Sequence, residues 1–390
     1  MRLSAVSSGS SSSVRRASLI LMAGGTLALA GCSWIPWFGD KKLAALPAVT
    51  DSAISVRWSA SVGSPKGFLL QPALGDRVVY AAAHGGKLTV LDEAGGRTVS
   101  SIDTKLKLTG GVGVQDDLIV VGNDKGEVVA FDASGRTLWK SALEGELLAP
   151  PQVAQGAVIA RTADGRLYAL NRSDGKRRWV FTRTAPPLTL RSGAPVTIVR
   201  GVIYAGFPAG RVVAIELESG RPIWESAISL PRGTTELERI ADVSGLPIVD
   251  GSRVCASVYQ GRTGCVETLN GNALWTRDIS SADGVAFDEK NLYVVDTDGN
   301  VFALDKTSGS TVWKQERLAR RDLGTPVLLK GQLVVADRLG FVHTLSVATG
   351  DITGRVPTDG TRVNALLLSG VSQTVIAQTT KGGVFSLAVK

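Results

Sequence analysis

Ala303-Leu304-Asp305-Lys306-Thr307-Ser308-Gly309-Ser310-Thr311-Val312-Trp313 carries a pattern, Ala-x-Asp-x-x-x-Gly-x-x-x-Trp, that the chain repeats. Ala169-x-Asn171, Gly175, Trp179 matches it, as do Ala214-x-Glu216, Gly220, Trp224 and Cys265-x-Glu267, Gly271, Trp275. Ala130-x-Asp132, Gly135, Trp139 is the same unit one residue shorter. Val90-x-Asp92 ending at Val99, and Thr344-x-Ser346 with Gly350 ending at Gly354, read as copies without the tryptophan. A short β-branched run precedes each unit, as in Leu118-Ile119-Val120 or Leu333-Val334-Val335, and a turn such as Asp298-Gly299 follows it. Each unit therefore reads as four short antiparallel strands, and eight units with a period of about 40 residues predict an all-β, eight-bladed β-propeller.

The last unit, Val384-Phe385-Ser386-Leu387, runs to Lys390 without a tryptophan strand. Ile54-Ser55-Val56-Arg57-Trp58, about one repeat before Val99, supplies that strand and closes the ring, which removes a free sheet edge. Seven blades with a loose N-terminal strand is the alternative arrangement. The domain reading is a signal peptide over 1–31, a tether over 32–51 and the propeller over 52–390.

The 390 residues include 43 Lys+Arg, 35 Asp+Glu, 3 Cys and 2 His. His84, His343 and cysteines at 32, 255 and 265 exclude a His-rich metal centre or paired cysteine knuckles, so no metal is expected. Arg2, Arg15 and Arg16 precede the uncharged stretch Ala17–Ala30, a secretory pattern. It ends in Leu29-Ala30-Gly31-Cys32, which resembles a bacterial lipobox. That resemblance implies acylation of Cys32, and Ser33, in place of the aspartate that retains lipoproteins at the inner membrane, implies the periplasmic face of the outer membrane. Losing residues 1–31 removes three arginines and no acid, leaving +5 with no basic stripe, which argues against nucleic acid. Pro36, Pro47 and Lys41-Lys42 mark the tether. Its Trp34, Trp37 and Phe38 suit either the membrane interface or a staple on the domain.

The repeat resembles the tryptophan-docking motif of pyrroloquinoline quinone (PQQ) dehydrogenase-like propellers. That resemblance gives Trp58, Trp139, Trp179, Trp224, Trp275 and Trp313 a structural role, each indole wedged against the neighbouring blade with its N–H bonded there. It also raises the alternative of a PQQ- and calcium-dependent dehydrogenase. Such enzymes carry an adjacent cysteine pair over the quinone, and no two cysteines here are adjacent. Cys255 and Cys265 fall opposite one another across a hairpin centred near Gln260, as a disulfide or as two buried thiols. Neither histidine has a nucleophile motif near it. The strands are also too short for a membrane barrel. No catalytic residue and no cofactor are expected.

From lipobox to last blade the chain resembles the BamB family, the propeller lipoproteins of the β-barrel assembly (BAM) machinery of Gram-negative outer membranes. Two connections carry the resemblance: Ala185-Pro186-Pro187-Leu188-Thr189-Leu190-Arg191 between blades 3 and 4, and Ser229 through Asp242 between blades 4 and 5, which explains the long spacing from Trp224 to Trp275. The resemblance implies a non-catalytic scaffold that assists folding and insertion of outer-membrane β-barrel proteins, with unfolded barrel proteins among its partners. It assigns Leu188, Leu190, Arg191 and Asp242 to binding the periplasmic POTRA domains of BamA. Both connections leave the same rim, so the expected surface has an apolar centre and a charge on each side. The family's second acid is replaced here by Ser244.

Overall fold

The structure, a computed structural model, describes residues 43, 45–49, 51–191 and 193–390. Cys32, Trp34, Trp37, Phe38 and the signal segment lie outside the described residues. Among the described residues there is no helix, and 32 strands form eight four-stranded antiparallel sheets. Seven sheets follow chain order, as in blade 4 with Thr197–Val199, Val202–Phe207, Arg211–Glu216 and Pro222–Ala227. The first strands of most successive blades touch one another, which places them as the innermost layer around the axis.

Burial follows that order. The second strand of blade 2, Leu118–Gly122, is buried throughout, whereas its outermost strand, Thr137–Ala142, buries only Trp139 fully. Continuous apolar runs therefore suit the middle strands, which face a neighbouring blade on both sides, and polar alternation suits the solvent-side edge.

The eighth sheet closes the ring. Ile54–Ser61 pairs antiparallel with Gly383–Val389, from Ile54 opposite Val389 to Ser61 opposite Gly383, as the outer strand of the last blade. This is the eight-bladed arrangement, with no loose N-terminal strand.

Each of the six tryptophans among the described residues joins its blade to the next. The Trp275 Nε1–H donates to the Lys306 carbonyl at 3.0 Å, and its ring lies on Gly309, where an added Cβ would fall 2.5 Å from Cε3. Gly309 has φ +70°, so the turn demands glycine both for its backbone and for the indole above it. The same donor geometry links Trp58 to Glu93, Trp139 to Arg172, Trp179 to Leu217, Trp224 to Thr268 and Trp313 to Val347. Five of these indoles are buried and Trp179 is half-buried. The acid of the motif sets the turn: Asp305 Oδ1 accepts the N–H groups of Thr307 and Ser308.

One assignment changes. In blade 1 the tryptophan position is Ser100, not Val99, because the ladder pairs Val90 with Ser100 as it pairs Ala303 with Trp313. Asp92 to Gly96 spans as many residues as Asp305 to Gly309, so the tenth residue after Val90 faces it and Val99 points to solvent, 62% exposed. Across that seam Ile102 takes the place of the indole and stands over Gly135.

Candidate partner-docking site

The connection 182–196 leaves the outer strand of blade 3, Arg177–Phe181, and enters blade 4 at Thr197; the connection 228–247 does the same from blade 4 to blade 5. The structure brings all four expected residues together. The Leu190 N–H donates to Asp242 Oδ2 at 2.6 Å, tying the first connection to the second. Leu188 is 42% exposed, Leu190 is half-buried and Arg191 is exposed. Leu190 and Arg191 form a ridge between two hollows. One, of 440 Å³, opens around the ring axis against Leu69, Leu246, Asp283 and Arg362. The other, of 370 Å³, lies against Gly145, Glu146, Ala163 and Asp164 of blades 2 and 3.

The charges differ from the expected arrangement. Asp242 is only 4% exposed, so it is not a surface acid flanking the leucines. Its carboxylate is taken up inside the fold; burial pushes it upward, and the N–H groups of Leu190 and Ala209 and the charge of Arg161 oppose that rise. The acid beside the apolar ridge is Glu146, which bonds Arg191 Nη2 at 2.7 Å and Nε at 3.1 Å. This pair is solvent-exposed on both sides, so it contributes at most about 1 kcal/mol and can exchange partners. Ser244, in place of the second acid, donates to the Ala282 carbonyl at 2.7 Å.

The second connection is built, not slack. Thr235-x-x-Glu238 caps a short turn: Glu238 Oε2 accepts the N–H of Thr234 at 2.8 Å and of Thr235 at 3.1 Å, and these bonds hold its carboxyl below the ordinary range. The blade 5 hairpin supports it from below, with the Tyr259 N–H donating to the Asp242 carbonyl and the Gln260 amide to those of Ile240 and Leu237. Cys255 and Cys265 face one another two ladder positions before the same hairpin's turn and are joined by a disulfide. They sit in the core against Trp275 and Leu292.

Arg161 and Glu146 are part of this site and carry no motif. A signal for Arg161 exists in the aligned repeats: at its ladder position, opposite the strand residue two before the motif's first, other blades place uncharged residues such as Gly122, Gly206, Ser257 and Val295. Glu146 is a lone acid in a turn and leaves none.

Both histidines are used internally. His343 is fully buried, its Nε2 3.2 Å from Asp337 Oδ2, which also accepts from Arg321 Nη1 at 3.0 Å. His84 stacks on Phe68 and bonds the Leu108 carbonyl through Nδ1 at 2.9 Å. Among the described residues no group of three or more His, Cys, Asp or Glu is arranged to hold a metal. The residues do not fit PQQ either: the one cysteine pair is a buried cross-strand link, without the adjacent cysteines that stack on the quinone.

The model of a family described as "Outer membrane protein assembly factor BamB" matches residues 84–315. The outer membrane protein assembly factor BamB of Nitrosomonas eutropha is 41% identical over 345 residues, covering 87% of this chain and 83% of that protein. The crystal structure of BamB from Moraxella catarrhalis superposes with a TM-score of 0.79 at 25% identity, over 86% of this chain and 99% of that one. A quinohemoprotein alcohol dehydrogenase from Comamonas testosteroni gives a TM-score of 0.69 at 13% identity, over 87% and 78% of the two chains, a likeness of fold alone. The chain belongs to the BamB family of outer membrane protein assembly factors.

Proposed function

We propose that this propeller is a non-catalytic scaffold of the outer-membrane β-barrel assembly complex, anchored at the periplasmic face by lipid on Cys32, and that it docks on the POTRA domains of BamA through Leu188, Leu190 and Arg191. One observation carries the docking assignment: Leu190 and Arg191 form a ridge between two hollows, beside the exposed Leu188, on a connection held by the neighbouring connection. Exposed leucine beside a cation with an exchangeable partner suits an anchor of a protein interface. Glu146 joins the contact, either released when Arg191 turns to the partner or kept as its orienting acid. The scaffold helps barrel proteins fold and insert by holding its partner, without chemistry of its own.

Truncating an interface anchor costs about 2 kcal/mol or more, a loss of roughly thirtyfold in affinity. Leu190→Ala with Arg191→Ala is therefore expected to abolish co-purification with BamA, and Leu188→Ala to weaken it, with the thermal midpoint nearly unchanged. A stable double variant that binds BamA normally would put the interface elsewhere on the ring.

A further inference from the structure

Asp242, in the second connection, and Arg161, in blade 3, are opposite charges, 4% and 7% exposed, that each bond to the backbone of the first connection. Arg161 stands at the end of the second strand of blade 3, where its guanidinium donates to the Ala194 carbonyl at 3.3 Å and to the Gly206 carbonyl at 2.5 Å. Ala194 is in the first connection and Gly206 is in blade 4, so one side chain ties three parts of the ring. The guanidinium lies over the Phe207 ring, its carbon 5.3 Å from the ring centroid. Asp242 completes the arrangement from the second connection by accepting the Leu190 N–H. The two charges act on each other: Asp242 supports the charge of Arg161 against the desolvation that brings it down to about 10.

A surface loop does not require a buried arginine, and removing one of two buried opposite charges leaves the other with less compensation for its desolvation. The Leu188–Arg191 segment has no strand of its own; its backbone is fixed at Leu190 by Asp242, and the same connection is fixed further on, at Ala194, by Arg161. We infer that Arg161 and Asp242 are positioning residues that form a two-point clasp on the first connection, Asp242 at Leu190 and Arg161 at Ala194, holding the Leu188–Arg191 segment in its docking conformation without touching the partner. This rests on the docking function proposed above. Ordering the ridge beforehand removes the ordering cost from association, which is how a residue outside the interface raises affinity.

The test combines amide hydrogen exchange with binding of the BamA POTRA domains, using the full chain. Asp242→Asn is expected to speed exchange at Leu190 at least tenfold and to weaken binding at least tenfold. The slope of log affinity against log salt should stay as in wild type, because no charge leaves the interface. Arg161→Met with Asp242→Asn, which leaves no uncompensated charge, is expected to fold and to recover part of the affinity; it also serves if the single variant does not fold. Weaker binding with a flattened salt slope and unchanged exchange at Leu190 would make Asp242 a contact residue and overturn the clasp. Faster exchange with unaltered affinity would overturn it too. If Leu190→Ala with Arg191→Ala binds normally, the docking assignment fails separately, and exchange at Leu190 still decides whether the clasp orders the ridge.

Discussion

Replacing Trp58 by alanine attacks the seam where the ring is closed. Trp58 is 8% exposed and packs with Val62, Val79, Ala81, Leu91, Ile376 and Val384, which come from blades 8 and 1. Its indole N–H donates to the Glu93 carbonyl at 2.8 Å, and the Gly96 turn is shaped around its ring. Deleting a buried tryptophan removes about 3–5 kcal/mol. With an unfolding entropy of about 2.1 cal/mol/K per residue over a ring of roughly 340 residues, the thermal midpoint should fall by about 4–7 °C. Trp275→Ala should cost a similar amount, since Trp275 is 9% exposed and bonds Lys306 in the same way. The two variants should differ in where the ring opens. Amide exchange should rise in Ile54–Ser61 and Gly383–Val389 for Trp58→Ala, and at the boundary of blades 5 and 6 for Trp275→Ala. A loss under about 1 kcal/mol for Trp58→Ala, or exchange that rises equally in all blades, would refute the view that this indole locks the ring.

Gly309→Ala should destabilise by about 2–4 kcal/mol in denaturant titration, from the left-handed backbone and the overlap with Trp275, whereas Gly331→Ala, at the same φ of +70° with no atom within 4 Å of the added Cβ, should cost only about 1–2 kcal/mol. Asp283 borders the axial hollow, where burial raises its carboxyl to about 6. A raised carboxyl disfavours the folded state once ionised: its contribution is most favourable below the unfolded value near 3.8 and is lost as pH rises towards 6. Asp283→Asn should therefore raise the thermal midpoint at pH 8 relative to wild type, by up to about 3 kcal/mol in stability, and leave it nearly unchanged at pH 4; a gain at pH 4 alone would reverse the sign of that argument. Cys32→Ala should leave a folded protein that separates from outer membranes after a salt wash in cells lacking its partner, and tight retention there would refute acylation as the anchor.

The blades were legible because indole, turn glycine and acid act within a few residues of one another, so the requirement is written locally. The closing strand was legible for a related reason: Ile54–Trp58 has the pattern of an outer strand and the last blade lacks one. What failed was local counting at Val99, where no tryptophan marks the register and only the pairing with Val90 fixes it. The exposure of Leu188 and Arg191 was legible in the first connection, but Asp242 was not legible as buried, since an acid in a polar loop gives no sign of which way it turns. It is held by the Leu190 N–H of another connection and supported by the charge of Arg161, 81 positions away. Glu146 likewise joins the site only because blade 3 brings its turn beside Arg191.

The pairing of Ile54 with Val389 has a consequence for how the molecule is made. A chain synthesised and exported from its N-terminus delivers Ile54–Ser61 before any blade exists, and the strand's partner, Gly383–Val389, only after all the others. Blades 1 to 7 can each assemble from neighbouring residues, as local contacts allow fast folding, while the eighth requires closure of a loop that spans nearly the whole ring. Until then the strand Gly383–Val389 has no outer neighbour and the first strand no sheet. A chain cut anywhere before Gly383 would strand its own beginning, so the circular order of the sheets makes a finished polypeptide a condition of a finished fold.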